Sequence, residues 1–181
     1  MIYKVGMSIL TMFGIGYFKY APGTLASLVT CLIFYFLVKT NNFGPNYNYI
    51  IIILIFILIY SIIFIDKFAY KFKKKDPSEI VIDEFIGQSI VILFAFFLGG
   101  NVYIILSLSS SQSFLLPYIL ELELLLAFIL FRIFDILKPF PINIIDKKIK
   151  NGLGVMLDDV VAAIYASITF AIIKKIILLW L

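Results

Sequence analysis

Acidic and basic side chains are concentrated in one stretch of an otherwise apolar sequence, residues 132–159. This stretch contains Arg132, the only arginine of the chain, and it ends in the acidic pair Asp158 and Asp159. An ionisable side chain at membrane depth is costly unless it faces water, a partner or an ion, so the cluster indicates a functional site. Together with two shorter upstream stretches, it predicts a site for a metal ion and a phosphate group at one face of a bilayer.

Carboxylates at the expected ends of apolar runs are the candidate metal ligands and catalytic groups. They are Asp83, Glu84, Asp135, Asp158 and Asp159. Carboxylates gathered at a membrane edge repel one another and lose hydration, so they either take up protons or bind cations. Ligands that are all oxygen suit Mg²⁺, which usually also binds a phosphate of the substrate. We therefore expect one or two Mg²⁺ ions, with one of these carboxylates available instead as general base for an attacking water.

Candidate phosphate ligands are of two kinds, cationic side chains and backbone turns. Arg132 offers a planar fork that matches phosphate oxygens and Lys138 a mobile point charge, each three residues from Asp135 on a continuing helix. Pro139 should stop that helix, and Pro141 should keep the chain extended. Turns that precede expected helix starts present N–H groups to an anion. The residues of these turns are Gly23 with Thr24, and Gly152 with Gly154.

Each of these signals also has a purely structural interpretation. An acidic pair at the start of a span is commonly a solvated boundary, or a favourable placement at the positive end of a helix. Arg132 and Asp135 are compatible with a simple ion pair, and Thr24 with a helix cap. The convergence of independent segments, with acids and bases together on one face, favours the functional interpretation.

The composition predicts the fold class. Of the 181 residues, 63% are hydrophobic and 14% charged, and the mean hydropathy is +1.10. Long apolar runs in lipid form helices, since helices satisfy their own backbone hydrogen bonds. The expected fold is all-α, a polytopic membrane helical bundle in a single domain over residues 1–181. Its expected parts are an N-terminal half-helix over residues 5–15 and five spans over residues 25–38, 49–65, 85–108, 118–134 and 155–181.

Lysine clusters predict the orientation of this bundle. Residues 66–79 and residues 138–154 are rich in lysine, and such loops usually lie in the cytoplasm. All the motif segments then lie at the cytoplasmic face. Glu121 and Glu123 are expected on the far side, with Lys174 and Lys175 reaching outward. No basic face with interleaved aromatic residues is present in the sequence, so nucleic acid is not an expected partner.

Residue types that are missing exclude several mechanisms of phosphate chemistry. The sequence has no histidine, which excludes phosphatases with a histidine nucleophile and Ser-His-Asp hydrolases. Its one cysteine, Cys31, has Leu37 rather than arginine six residues later, which excludes cysteine phosphatases. The acids also lack the D-x-D spacing of aspartyl-phosphate enzymes. Metal-activated water is the chemistry that remains.

Several parts of the chain match, in order, the motifs of one known family. They are PGT at Pro22 to Thr24, IDEFIG at Ile82 to Gly87, FRIFDILKPFPI at Phe131 to Ile142, Asp146, and GLGVMLDDVVAA at Gly152 to Ala163. The combination resembles phosphatidylglycerophosphatase A, a bacterial membrane lipid phosphatase. The resemblance implies Mg²⁺-dependent removal of the terminal phosphate of the phospholipid phosphatidylglycerophosphate, giving phosphatidylglycerol at the cytoplasmic face of the inner membrane.

Two departures from the family pattern precede and follow the PGT turn. Residues 17–20 are bulkier and more basic than expected, and Ala26 stands where a glycine is usual. Lys19 is either an additional contact to lipid phosphates or, as we favour, an anchor among the headgroups.

Two other functions stay open from the sequence. A phospholipid headgroup phosphotransferase also gathers aspartates at a cytoplasmic edge, but its D-G-x-x-A-R run is missing here. A small cation carrier would use buried acids to bind the transported ion. A carrier predicts acids near the centres of spans, whereas the acids here lie at span ends.

Overall fold

The computed structural model describes residues 2–41, 47–71, 79–108 and 118–180, and these residues form helices joined by short turns. The α-helices in these ranges are α1 (Ile2–Leu10), α2 (Pro22–Asn41), α3 (Asn48–Phe68), α4 (Ile82–Leu108), α5 (Ile119–Leu137), α6 (Ile142–Lys148) and α7 (Gly152–Trp180). Two 3₁₀ turns lie at Ile15–Tyr17 and Ala69–Lys71. The all-α prediction is confirmed.

Each of the five predicted spans coincides with a long helix, namely α2, α3, α4, α5 or α7. Among the residues that the structure describes, three stretches are long and apolar enough to cross a membrane: Pro22–Thr40, Asn48–Phe68 and Gly152–Ile177. The 19 residues of α5 include two glutamates, an arginine and an aspartate, so this helix is less apolar than a simple span. Helix length and composition therefore indicate a membrane protein.

The N-terminal half-helix is shorter than predicted. Helix α1 ends at Leu10, because Met12, Phe13 and Gly14 adopt positive φ angles of 46°, 56° and 104° that no right-handed helix accommodates. An irregular loop then leads to α2, which begins at Pro22 rather than at Thr24. Proline is favoured at the first position of a helix, since no N–H is needed there.

Helix α6 was not predicted, and the expectation that Pro141 keeps the chain extended is wrong. Pro141 adopts φ −93° and ψ 4° and directly precedes the first residue of α6, Ile142, which is fully buried. Proline can stand at a helix start because it removes no intrahelical hydrogen bond there. Helix α6 packs against α7 and carries Asp146 beside the site described below.

Helices α4 and α7 form the centre of the bundle. Helix α7 packs against α3, α4, α5 and α6, and α4 also packs against α2 and α5. The buried face of α7 carries small side chains, those of Ala162, Ala163 and Ala166. Small residues let helix backbones approach closely in a membrane protein. Gly87 of α4 likewise faces the ring of Phe131 and the backbone oxygen of Asp159.

Charged residues at the opposite end of the bundle form ion pairs between helices. Lys174 Nζ lies 2.5 Å from Glu123 Oε1, with side chains only 11% and 13% exposed. Lys39 Nζ lies 3.3 Å from Glu121 Oε1. The prediction that Lys174 reaches outward is therefore wrong, because a buried carboxylate on α5 binds it. Lysines 73–75 and the serine-rich segment 107–113 with Pro117 lie wholly or largely outside the described residues.

Candidate active site

The motif segments predicted to share one face meet around a cavity of about 450 Å³. Its walls come from the start of α2, the start of α4, the end of α5, and the region from α6 to the first turns of α7. The end of α3 lies beside them, since Asp66 Oδ1 accepts a hydrogen bond of 2.6 Å from the N–H of Gly152. Helix ends from both halves of the chain thus build a single site.

Three of the five predicted carboxylates form a close cluster, the acidic trio of Asp83, Glu84 and Asp159. One oxygen from each lies within 4.8 Å of the others. Asp83 Oδ1 accepts the N–H of Glu84 at 3.1 Å. Glu84 Oε2 and Asp159 Oδ2 are buried and have no hydrogen-bond partner among the described residues. Buried carboxylate oxygens this close repel one another without a cation, so the trio fits a divalent ion that prefers oxygen ligands.

The other two predicted carboxylates each pair with a cation. Arg132 Nη1 lies 2.6 Å from Asp135 Oδ2, on the same face of α5 as the spacing predicts. Lys138 Nζ lies 2.7 Å from Asp158 Oδ2. Both pairs line the cavity that the trio also lines, but the structure does not bring Asp135 and Asp158 into the trio itself.

Lys138 is held between two acids at the end of α5. It ends the helix in the left-handed region, with φ 42°, and its Nζ also lies 3.1 Å from Asp146 Oδ1. Burial alone would lower the pKa of the Lys138 ammonium, but the hydrogen bonds and charges of Asp158 and Asp146 raise this pKa above its ordinary value. Lys138 therefore stays a cation at neutral pH and places a fixed positive charge at the cavity wall.

Of the residues in the two predicted backbone turns, some line the cavity and one does not. Gly23 and Thr24 line the cavity, and a Cβ on Gly23 would overlap Glu84 Oε1, so α2 approaches the trio as closely as only glycine permits. Gly154 also lines the cavity, with its N–H donating to Asn151 Oδ1 at 3.0 Å. Gly152 lies off the cavity lining, and its N–H already donates to Asp66. The structure therefore does not bring Gly152 to the site.

Two polar residues, Asp146 and Gln88, were not among the site residues predicted from residue chemistry. Asp146 belonged only to the family resemblance, and the turn between α5 and α6 brings it to Lys138, which helical spacing does not reveal. Gln88 is fully buried one turn after Glu84, and its amide atoms have no partner within the part of the chain described. The sequence feature that could have pointed to Gln88 is its position four residues after Glu84, on the same face of an apolar helix.

Fold and cavity together define a class of protein. It is a helical membrane protein whose helix ends enclose a buried polar cavity, with an acidic trio beside two paired cations. Clusters of buried charge at membrane depth are a mark of functional sites, and this one combines donors for a cation with donors for an anion.

The chain belongs to the phosphatidylglycerophosphatase A family, a family of phosphatases that act on a phosphate monoester. The profile of that family matches residues 8–174, which include every residue of the cavity lining. The family resemblance stated from the motifs is thereby confirmed.

Individual relatives agree with the family assignment. Phosphatidylglycerophosphatase A of Haemophilus influenzae is 47% identical over 98 residues, which are 54% of this chain and 47% of that protein. Its counterpart in Escherichia coli K12 is 28% identical over 155 residues, 86% of this chain and 75% of that protein. A putative phosphatidylinositol-3-phosphatase of Bacteroides thetaiotaomicron is 30% identical over 173 residues, 92% of both chains. No solved structure matches the chain.

Proposed function

We propose that this protein hydrolyses the terminal phosphate monoester of phosphatidylglycerophosphate, releasing phosphatidylglycerol and inorganic phosphate. The observation that carries the proposal is the acidic trio beside Arg132 and Lys138 around one cavity, in a chain of this family. A phosphate monoester dianion needs cationic partners, and its hydrolysis needs a polarised water. The cavity supplies side chains for both tasks.

The proposed setting is the inner membrane of a bacterium. Helices α2, α3, α4, α5 and α7 cross the bilayer as five spans, and the cavity faces the cytoplasm. The lysines of α6 and its flanks, Lys147, Lys148 and Lys150, support this orientation, because lysine-rich segments are retained on the cytoplasmic side. The lipid substrate then presents its headgroup to the cavity from the cytoplasmic leaflet.

Mg²⁺ is the proposed cofactor, and the acidic trio would hold it. The unpartnered oxygens of Glu84 and Asp159 fit this role, since a cation would offset the cost of burying them. When bound, the ion supplies polarisation of the phosphate and of the attacking water. Both requirements for an oxygen-rich Mg²⁺ site, acidic ligands and room for water and phosphate oxygens, are met by the cavity.

The remaining polar residues bind and orient the substrate in this proposal. Arg132 donates to two phosphate oxygens, while its ion pair with Asp135 holds the guanidinium in place. Lys138, fixed by Asp158 and Asp146, neutralises charge that develops during transfer. Gly23 and Thr24 line the same cavity, and their backbone and hydroxyl groups would donate to the phosphate.

The reaction is a direct displacement by water. The water oxygen forms a bond to phosphorus as the bond from phosphorus to the glycerol oxygen breaks. A carboxylate takes the water proton, and the buried, unpartnered Asp158 Oδ1 is placed at the cavity wall for that role. The glycerol oxygen leaves as an alcohol by taking up a proton from water in the cavity, and the carboxylate afterwards returns its proton to water. Cys31 takes no part, since it lies buried in α2 beside the carbonyl of Leu124 and away from the cavity.

The experiment that tests the proposal measures phosphate release from phosphatidylglycerophosphate by the purified protein, with and without EDTA. We expect release that EDTA abolishes and excess Mg²⁺ restores, and a loss of about 10² to 10³ in rate for Asp159→Asn. Glu121→Gln, which changes an acid at the opposite end of the bundle, is the matched control and should keep full activity. Full activity of Asp159→Asn would contradict the site assignment, and a second alcohol in the product would indicate a phosphotransferase.

A second substrate follows from one comparison. The relative that this chain covers over 92% of both lengths is named for a phosphoinositide phosphatase. Both lipids carry a phosphate monoester on a membrane headgroup, and the cavity cations would bind either one. Side-by-side assays of phosphatidylglycerophosphate and phosphatidylinositol 3-phosphate decide between them, and we expect a kcat/KM at least ten times higher for the first, about 1.4 kcal/mol of discrimination.

A further inference from the structure

The loop between α1 and α2 exposes a group of aromatic side chains that the proposed chemistry does not use. The exposed fractions are 90% for Phe13, 62% for Tyr17, 60% for Phe18 and 75% for Tyr20. Lys19 lies among them, with its Nζ 5.6 Å from the centre of the Tyr20 ring. In an aqueous setting such a surface would be unfavourable, because large apolar side chains gain free energy on leaving water. We call residues 13–20 the aromatic loop.

The backbone holds the aromatic loop firmly beside the cavity. Gly16 packs against the backbone carbonyl of Glu79, where a side chain would overlap, and the N–H of Val81 donates to Leu10 O at 3.0 Å. These contacts tie the middle of the loop and the preceding end of α1 to the segment that leads directly into Asp83 and Glu84. At its other end the loop runs into Ala21, Pro22 and Gly23, which line the cavity. The aromatic loop therefore adjoins the cavity along the chain and through its contact with residue 79.

The backbone is strained at the first residue of the aromatic loop and at the residues that flank it. Met12, Phe13 and Ala21 have positive φ angles of 46°, 56° and 46°, a conformation that residues other than glycine rarely adopt. Met12 is buried while its neighbour Phe13 is the most exposed of these aromatic residues. Residues in such conformations cluster at ligand clamps and functional sites, where the surrounding structure over-determines them. The unfavourable backbone conformation of Phe13 does not bury its side chain.

The level of the loop relative to the bilayer follows from α2. The stretch Pro22–Thr40 is one of the helices able to cross a membrane, and the aromatic loop ends two residues before it, at Tyr20. The loop thus lies at the boundary between hydrocarbon and water. Aromatic side chains concentrate at that boundary, and lysine there faces lipid phosphates.

We propose that the aromatic loop inserts into the headgroup region of the cytoplasmic leaflet and seats the mouth of the cavity on the lipid surface. Phe13, Tyr17, Phe18 and Tyr20 enter the interface, and Lys19 binds lipid phosphates. The consequence for catalysis rests on the proposed function. A phospholipid can then move from the leaflet into the cavity without leaving the membrane, so the loop favours membrane-embedded over water-dissolved substrate.

Fluorescence quenching tests the insertion without any need for activity. Phe18→Trp is made in a Trp180→Phe background and placed in vesicles of phosphatidylethanolamine and phosphatidylglycerol brominated near the headgroup. Lys148→Trp, at an exposed position on α6 at the same end of the bundle, is the matched control. We expect strong quenching at position 18 and little at position 148. Absence of quenching at position 18 would overturn the proposal.

Steady-state kinetics test whether the aromatic loop favours membrane-embedded over water-dissolved substrate. The double variant Phe18→Ser with Tyr20→Ser is compared with Tyr49→Ser and Tyr118→Ser, which removes two similarly exposed aromatic residues at the opposite end of the bundle. For phosphatidylglycerophosphate in vesicles, we expect the first double variant to raise KM about tenfold with kcat unchanged. Hydrolysis of a short-chain, monomeric form should be unaffected.

The outcomes separate the inference from the proposed function. An equal loss on vesicle and monomeric substrate, or no loss on either, would overturn the role of the loop in substrate delivery. If the unaltered protein hydrolyses neither substrate, the proposed function fails, and the quenching result alone decides whether the loop inserts.

Discussion

In the proposed function, Arg132 and Lys138 are single side chains positioned in advance for an anion. Each cation is fixed by a carboxylate that also lines the cavity, Asp135 for the arginine and Asp158 for the lysine. Arg132 Nε has no hydrogen-bond partner in the described ranges, so part of its fork is left for a ligand. A buried cation that is positioned in advance costs little reorganisation when the phosphate binds.

The geometry of the guanidinium matters more than its charge. Arg132→Lys keeps a positive charge but loses the planar fork that contacts Asp135 and that, in the proposed function, would bind two phosphate oxygens. We expect kcat/KM to fall about 10²-fold, with unchanged thermal stability as the check on folding. Lys148→Ala, which removes an exposed cation of α6, serves as control. A lysine at position 132 that supports normal kcat/KM would show that the residue is an ion-pair partner and no phosphate ligand.

For single residues, the sequence predicted which charged side chains lie at the cavity better than which of them contact one another. Asp83, Glu84 and Asp159 could be placed together because helix ends that share a face bring their first or last residues together. Nothing in the spacing separates Asp158 from Asp159, yet one binds Lys138 and the other joins the trio. Adjacent residues on a helix point about 100° apart, so their partners depend on the rotation of α7 against α4 and α5, which is set by packing.

Elements position the site through close contacts between helices. Gly87 lies one turn beyond Asp83 on α4, and it lets α4 meet α5 at Phe131 and α7 at the backbone of Asp159. Any increase in the distance between α4 and α7 would move Asp83 and Glu84 away from Asp159. The three carboxylates of the acidic trio can therefore lie close together only if residue 87 is small.

The variant Gly87→Ala tests this packing. Its Cβ would overlap the Phe131 ring, and overpacking of this kind typically costs about 1–3 kcal/mol. We expect a lower thermal midpoint and lower activity. Phe131→Leu in the same chain should recover part of both, because it frees the space that the methyl group needs. An additive loss in the double variant, measured by thermal unfolding, would contradict the proposed contact.

The element that the sequence analysis lacked is α6. Seven residues after two prolines in a lysine-rich segment give little helical periodicity, and Pro141 indicated extended chain. What forms the helix is tertiary contact, since Ile142 is fully buried and α6 packs along α7. Packing of this kind overrides the preference of the local sequence for extended chain. The same packing brings Asp146 to Lys138.

For the whole molecule, a bound cation should act as a stabiliser. The trio concentrates negative charge where α4 and α7 meet, so a cation that binds only the folded protein raises its stability by mass action. At a Mg²⁺ concentration about 100 times the Kd, the gain is about 2.7 kcal/mol. We expect a rise in the thermal midpoint with Mg²⁺ that Asp159→Asn removes and Glu121→Gln keeps. No shift for the unaltered protein would argue against Mg²⁺ at this site.

The orientation of the whole bundle is the remaining prediction. All the cavity segments lie at one end, and Lys39, Glu121, Glu123 and Lys174 mark the other end. Positively charged segments stay in the cytoplasm, so the end that carries α6 should face inward. Single cysteines in a Cys31→Ser background report the side. We expect a membrane-impermeant thiol reagent to label Tyr118→Cys in intact cells and Lys148→Cys only after permeabilisation. Labelling of position 148 in intact cells would place the cavity outside and contradict the proposed orientation.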